Sequence, residues 1–339
     1  MTRKPRILSG VQPSGKLHLG NYYGAMQQHV ALQSEGSAFY FIADYHALTT
    51  VQDRERHAAL VRDVALDYLA LGLDPKEATF FRQSDVPEVT ELTWLLATVT
   101  PMGLLERATS YKDKIARGIA PRTGLFLYPV LMAADILAYR SDVVPVGRDQ
   151  VQHLEMARDM ADAFHAAYRC DIFTRPKARL AERAEVVPGT DGQKMSKSYG
   201  NTIDIFAAGK ELKSAVMGIK TDSRGVDEPK DPEGNTVWQL YRLVAEPAQA
   251  DEMARALARG GYGYGEAKKA LLAALEARFG PARERRAALA ADPGYVESVL
   301  ADGGLRARAV AREVLAAARE AVGMAGGPVS SAPSAPRVP

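Results

Sequence analysis

The feature that most limits what this chain can become is the alternation in its first half. Short apolar runs at 6–11 ("RILSGV"), 38–44 ("AFYFIAD") and 78–82 ("ATFFR") are separated by segments whose apolar residues recur three and four apart. Runs of that length and character read as buried parallel strands. The segments between them read as helices. Leu19, Tyr23, Met26 and Val30 share one face, as do Leu60, Val64, Tyr68 and Leu71, and "LGLDP" closes the second helix with glycine and proline. Residues 87–98 and 125–139 continue as helices, and "DVVPVG" (142–147) is a further strand ending at a glycine. Strand–helix–strand alternation predicts an α/β fold built on a doubly wound parallel, Rossmann-like sheet.

The texture changes near residue 205. Alanine, leucine, lysine, arginine and glutamate dominate, and long helical patterns run to about residue 322, interrupted by the polar loop "TDSRGVDEPKDPEGN" (221–235). An all-helical domain over 206–323 is therefore expected after an α/β domain over 1–205. The stretch 324–339 is rich in Pro, Ser and Ala and reads as a disordered tail.

Composition adds mainly exclusions. At 339 residues, with 47% apolar and 25% charged residues, the chain can bury a sizeable core. A net charge of +2 gives no nucleic-acid coat, so any such binding must come from a local patch. The single cysteine, Cys170, forbids an internal disulfide and any multi-cysteine zinc or iron–sulfur site. No segment approaches the roughly 20 apolar residues of a membrane span, and the N-terminal apolar run is too short for a signal peptide. A cytoplasmic protein with no membrane contact is expected.

Four stretches could carry chemistry. "PSGKLHLGN" (13–21) falls where the first strand turns into the first helix, a favoured ligand position in parallel sheets. There Gly15 and Gly20 would let a nucleotide approach the backbone, while His18 and Asn21 could donate to phosphate oxygens at the helix N-terminus. An ordinary glycine turn would look no different. "KMSKS" (194–198) lies between glycine-bearing segments and could present lysines to a polyphosphate, or be a solvated basic loop. In "LYPVLMAADILAY" (127–139) helical spacing puts Tyr128, Met132 and Asp135 on one face. A carboxylate in so apolar a helix needs a donor, either a ligand N–H or O–H, or a nearby arginine. In "VPVGRDQ" (144–150), Asp149 could bind a ribose hydroxyl or cap the next helix.

Together and in this order these pieces resemble the class I aminoacyl-tRNA synthetases, and "GVQPSGKLHLGNYYGA", "YPVLMAADIL" and "VPVGRDQ" resemble the tryptophanyl branch of that family in its bacterial type. "QPSGKLHLGN" is similar to the HIGH signature with asparagine as its last residue, and "KMSKS" matches the second signature letter for letter. The likeness runs to about residue 323. It implies ATP binding, with Mg²⁺ as part of the ATP complex, by Gln12, Pro13, Ser14, Gly20, Asn21, Gly147, Arg148, Asp149 and Val187, and by the mobile loop Lys194, Met195, Ser196, Lys197 and Ser198. Lys114 is implied as a further phosphate lysine. His18, Lys194 and Lys197 are the implied catalytic residues. Asp135 is implied as acceptor for the indole N–H of L-tryptophan, with Tyr128, Met132, His46, Gln150 and Gly10 around it. The resemblance further implies tRNA(Trp) as partner, a homodimer formed through helices inserted in the first domain, and an anticodon-binding second domain over 206–323 whose final helices can pack back on the first, "GGYGYGEAKKAL" (260–271) fitting that pattern.

Three other readings stay open on the sequence. A tyrosyl enzyme could use the same aspartate to accept a phenol O–H, although "QPSGKLHLGN" and "MAADIL" look tryptophanyl. Another nucleotidyltransferase would share the first domain but hardly the long helical second one. A non-catalytic paralogue would be expected to show decayed signatures, and these stand intact.

Overall fold

The computed structural model describes residues 4–108, 111–112, 116, 118, 120–147, 150–180 and 186–324. Five strands form one parallel sheet: β1 (Arg6–Val11), β2 (Ser37–Ile42), β3 (Ala78–Arg82), β4 (Val143–Val146) and β5 (Lys177–Leu180). Their order is β3-β2-β1-β4-β5, with Arg6 opposite Ser37, Ala38 opposite Ala78, Ile7 opposite Val143 and Val143 opposite Lys177. The chain moves outward from β1 to β3, then returns to the other side of β1 with β4. That reversal opens a crevice beyond the carboxyl ends of β1 and β4.

Alternation along the strands divides the core. Ala38, Tyr40 and Ile42 of β2 point to one face, where they meet α2 (Arg54–Ala70). Phe39 and Phe41 point to the other, with α3 (Glu88–Ala97), α4 (Thr123–Leu137) and α5 (Val151–Tyr168). The first helical stretch, α1, joins Leu19–Asn21, a π turn over Tyr22–Met26, and Gln27–Leu32. The π turn changes which residues point inward. Leu19, Tyr22, Met26, His29 and Leu32 are buried, whereas Tyr23 and Val30, expected on the inward face, are only half-buried. On α2, Val64 and Tyr68 are buried and Leu60 and Leu71 half-buried.

From Gly209 onward the described elements are all helices: α6 (Gly209–Met217), α7 (Thr236–Val244), α8 (Pro247–Arg259), α9 (Tyr264–Ala291) and α10 (Pro293–Ala321). The expected polar loop at 221–235 turns inward at Lys230 and again at Asn235, which caps α7. Lys230 is buried, and its ammonium donates to the carbonyls of Gly225, Val226 and Glu228.

The last helix does not stay with its neighbours. Val296, Val299 and Leu300 of α10 pack into the first core, whereas Ala307, Ala311, Val314 and Ala318 pack into the second. Between them Gly303 and Gly304 pass the edge strand β3, and a Cβ on Gly303 would overlap the Phe80 carbonyl. Arg308 and Arg312 then clamp the buried Glu88 of α3 at 2.7 and 2.9 Å. None of the described helices is long and apolar enough to cross a membrane.

Candidate active site

A cavity of about 270 Å³ occupies the crevice at the switch between β1 and β4. Gly10 and Gln12 line it from the end of β1, His46 from the short helix Asp44–Ala47, Tyr128, Met132 and Asp135 from α4, and Gln150 and His153 from the start of α5. The six residues that the resemblance implied for tryptophan thus share one space with Gln12, which it implied for ATP. Gly10 is required there because a Cβ would overlap the Phe41 ring, which rises from β2 to form part of the wall. Tyr128 directs its hydroxyl to His153 Nε2 at 2.8 Å, fixing the ring edge-on to His46.

Asp135 is 1% exposed, and two donors face it. Gln83 Nε2 lies 2.9 Å from Oδ1 and 2.8 Å from Oδ2, and His46 Nε2 lies 3.0 Å from Oδ2. Burial raises the Asp135 pKa, and the bonds from His46 and Gln83 oppose the rise. The expectation that so buried a carboxylate needs a donor is met without arginine. Its donors are an amide and an imidazole, and Gln83 gave no sign of this in the sequence.

The two signature loops meet beside this cavity. Leu19 N–H donates to Ile203 O (3.1 Å), so the start of α1 is tied to the segment after the second loop. Gly20 N–H points at Met195 Sδ, 3.4 Å away. Lys197 Nζ reaches the carbonyls of Gly15 (2.9 Å) and Ser14 (3.2 Å). Among the described residues it pairs with no carboxylate, and burial lowers its pKa. His18 is 5% exposed, its Nδ1 is buried without a partner among the described residues, and its pKa falls to about 4 through burial and then the Lys197 charge. At neutral pH His18 is therefore a neutral donor, not a cation.

The second loop owes its shape to Asn201, another residue with no sequence signal. Its side chain accepts from Ser196 N–H (2.8 Å) and donates to Lys194 O (3.1 Å) and Asp191 Oδ1 (2.8 Å). Ser196 and Ser198 hydroxyls lie 2.8 Å apart, and Lys194 is exposed. Pro13 is buried, while Ser14 and Asn21 are exposed. Val187 sends its side chain into the core under the loop, and only its carbonyl bonds to Met195 N–H at 2.9 Å. Gly147 sits exposed at the end of β4, its carbonyl accepting from Gln150 N–H at 3.0 Å. Lys114, Arg148, Asp149 and residues 325–339 of the tail lie outside the described residues.

Known proteins of similar sequence and fold point to one family. The family model described as "tRNA synthetases class I (W and Y)" matches residues 1–280. A tryptophan–tRNA ligase of Rhodopirellula baltica is 53% identical over 319 residues, covering 94% of the chain and 99% of the relative. One of Fusobacterium nucleatum is 53% identical over 321 residues, covering 95% and 98%. A crystal structure of tryptophanyl-tRNA synthetase from Campylobacter jejuni, complexed with ADP and tryptophan, is similar with a TM-score of 0.90 and 46% identity, covering 94% of the chain and 99% of that structure.

Proposed function

The chain belongs to the class I tRNA synthetases of the tryptophan and tyrosine group, in the bacterial tryptophanyl type, and within that family we propose that Asp135 reads the substrate's ring N–H while the two signature loops hold ATP. Its activity is the ligation of tryptophan to tRNA at the expense of ATP. The observation that carries the assignment of the pocket is the Asp135 carboxylate, buried in the wall of a cavity sized for one small molecule and held by donors that leave it acceptor-only.

In the first step an oxygen of the tryptophan carboxylate forms a bond to the α-phosphorus of ATP, the bond to the bridging oxygen breaks, and pyrophosphate leaves with that electron pair. Tryptophanyl-adenylate remains. A carboxylate is already nucleophilic, so the residues act by positioning and by stabilising charge. His18 donates to the reacting phosphate as a neutral imidazole. Lys197 exchanges its carbonyl partners for the leaving pyrophosphate, together with Lys194 and the Mg²⁺ that arrives on ATP. In the second step the terminal ribose 2′-hydroxyl of tRNA(Trp) takes the acyl group and AMP departs. Helices α6–α9 form the unit that meets the anticodon. Trp94 of α3 (68% exposed) and Met102 beyond it (61%) are large apolar side chains suited to a homodimer interface in the cytoplasm, where charged tRNA is used.

Amino-acid-dependent ATP–pyrophosphate exchange with tryptophan, tyrosine and no amino acid tests the reading. Exchange with tryptophan alone is expected. Tyrosine-selective exchange would keep the chemistry and overturn the role given to Asp135. Sedimentation at micromolar concentration should show a dimer, and a monomer would remove the role given to Trp94.

A further inference from the structure

Gln83 opens the turn that follows β3, and its side chain is wholly buried. Both ends of its amide are assigned by their partners. Oε1 accepts from the backbone N–H groups of Tyr45 at 3.1 Å and His46 at 3.4 Å, so Nε2 has to face Asp135, where it reaches both carboxylate oxygens. The turn itself is pinned. Asp44 accepts from Ser84 N–H at 2.9 Å and from the Ser84 hydroxyl. One glutamine therefore fixes the helix that carries His46 and the carboxylate that His46 also touches.

We infer that Gln83 is a positioning residue for amino-acid specificity: its donation to both oxygens of Asp135 holds that carboxylate as an acceptor turned toward the substrate's ring N–H. The inference rests on the tryptophan-activating reading above. Without this donor, Asp135 keeps His46 alone, and burial favours its protonated form, which donates as readily as it accepts. The pocket then no longer prefers a ring bearing N–H to an isosteric ring without one. A site built around a polar contact discriminates because a mismatch strands that contact, and removing Gln83 removes the basis of the mismatch.

The test sets tryptophan against benzothienylalanine, in which sulfur replaces the indole N–H, in ATP–pyrophosphate exchange by the full-length chain. Two variants are used. Gln83→Met keeps the volume without the amide, and Gln83→Asn keeps the amide but is one methylene too short to reach Asp135. Both should raise KM for tryptophan about ten- to a hundredfold, the weight of a hydrogen bond to a charged group, with kcat and KM for ATP changed by less than threefold. The tryptophan-to-isostere ratio of kcat/KM should shrink by the same factor. Partial misfolding lowers activity on both amino acids alike and leaves that ratio untouched. An unchanged ratio in both variants overturns the inference while unaltered activity of the parent chain leaves the reading above standing. No exchange with tryptophan by the parent chain overturns both.

Discussion

The pocket around Asp135 and the side of the crevice that we assign to the phosphates of ATP are built by opposite means. In the pocket, the decisive group is buried, its donors come from the sheet edge and a neighbouring helix, and Gln83 is itself held by the backbone N–H groups of Tyr45 and His46. On the phosphate side the decisive groups sit on two loops, with Ser14 and Lys197 183 residues apart in sequence, and one of their links is an ammonium resting on carbonyl oxygens. The pocket's polar groups are fixed by one another and by backbone. On the reading proposed above, Lys197 would trade carbonyl oxygens for the anionic oxygens of ATP, which are better partners for an ammonium. Discrimination between similar rings demands preorganised polar groups, whereas a leaving group whose charge grows during reaction suits a flexible cation.

The largest break in this contrast should come from Asp135→Ala. It should lower kcat/KM for tryptophan by roughly four orders of magnitude and leave ATP affinity, read by equilibrium dialysis, unchanged. Equal losses in both would make Asp135 a structural residue shared by the two halves. Next is Lys197→Ala, expected to slow adenylate formation by about 10²–10³-fold in single-turnover kinetics with tryptophan affinity intact. An unchanged rate would take that loop out of the chemistry. Asn201→Ala loosens only the loop's frame, and a rise of about tenfold in KM for ATP should follow with no change for tryptophan. A shift in tryptophan KM would mean that the two halves are coupled through the loop.

The smallest effect concerns pH. His18 on the phosphate side and His29 behind β1, between Ser9 and Tyr68, both have their pKa lowered to about 4 by burial. Each stays neutral in the fold while its unfolded counterpart charges below about 6.5, so the unfolded chain binds more protons in that window. Stability is full above pH 6.5 and should fall as pH drops toward 4, by at most about 1 kcal/mol per pH unit for each ring. Urea titrations at pH 7, 6 and 5 measure it. His29→Gln should flatten the slope more than His18→Gln if the loop ring gains solvent by local opening.

How far the sequence foretold this depends on the kind of signal each residue leaves. Strands buried on both faces announce themselves by apolar runs, and the four expected strands are present. β5 escaped because it is an edge strand: Lys177, Arg179 and Leu180 are exposed, and "KARL" has no pattern that separates it from a loop. Tyr128, Met132 and Asp135 were legible as one face because helical spacing is rigid. Gln83 and Asn201 were not, since a buried amide has no periodicity and takes its meaning from partners 52 or 10 residues away. The π turn in α1 was equally silent, because it alters hydrogen bonding without altering composition.

The path of α10 has a consequence for how the molecule is made. A chain leaving the ribosome presents its N-terminus first, and β1 to β5 are available once residue 180 has emerged. Yet the outer edge of β3 is covered by α10, through Gly303, Gly304 and an Arg306 guanidinium that donates to the Ala78 carbonyl at 3.3 Å, and the Glu88 carboxylate meets Arg308 and Arg312 on the same helix. Until that last helix arrives, the strand that leads into Gln83 offers an open edge to any passing strand. Every residue that lines the pocket has thus been made by the time His153 is added, while the edge of the strand leading into it is covered by the last helix of the chain to be made.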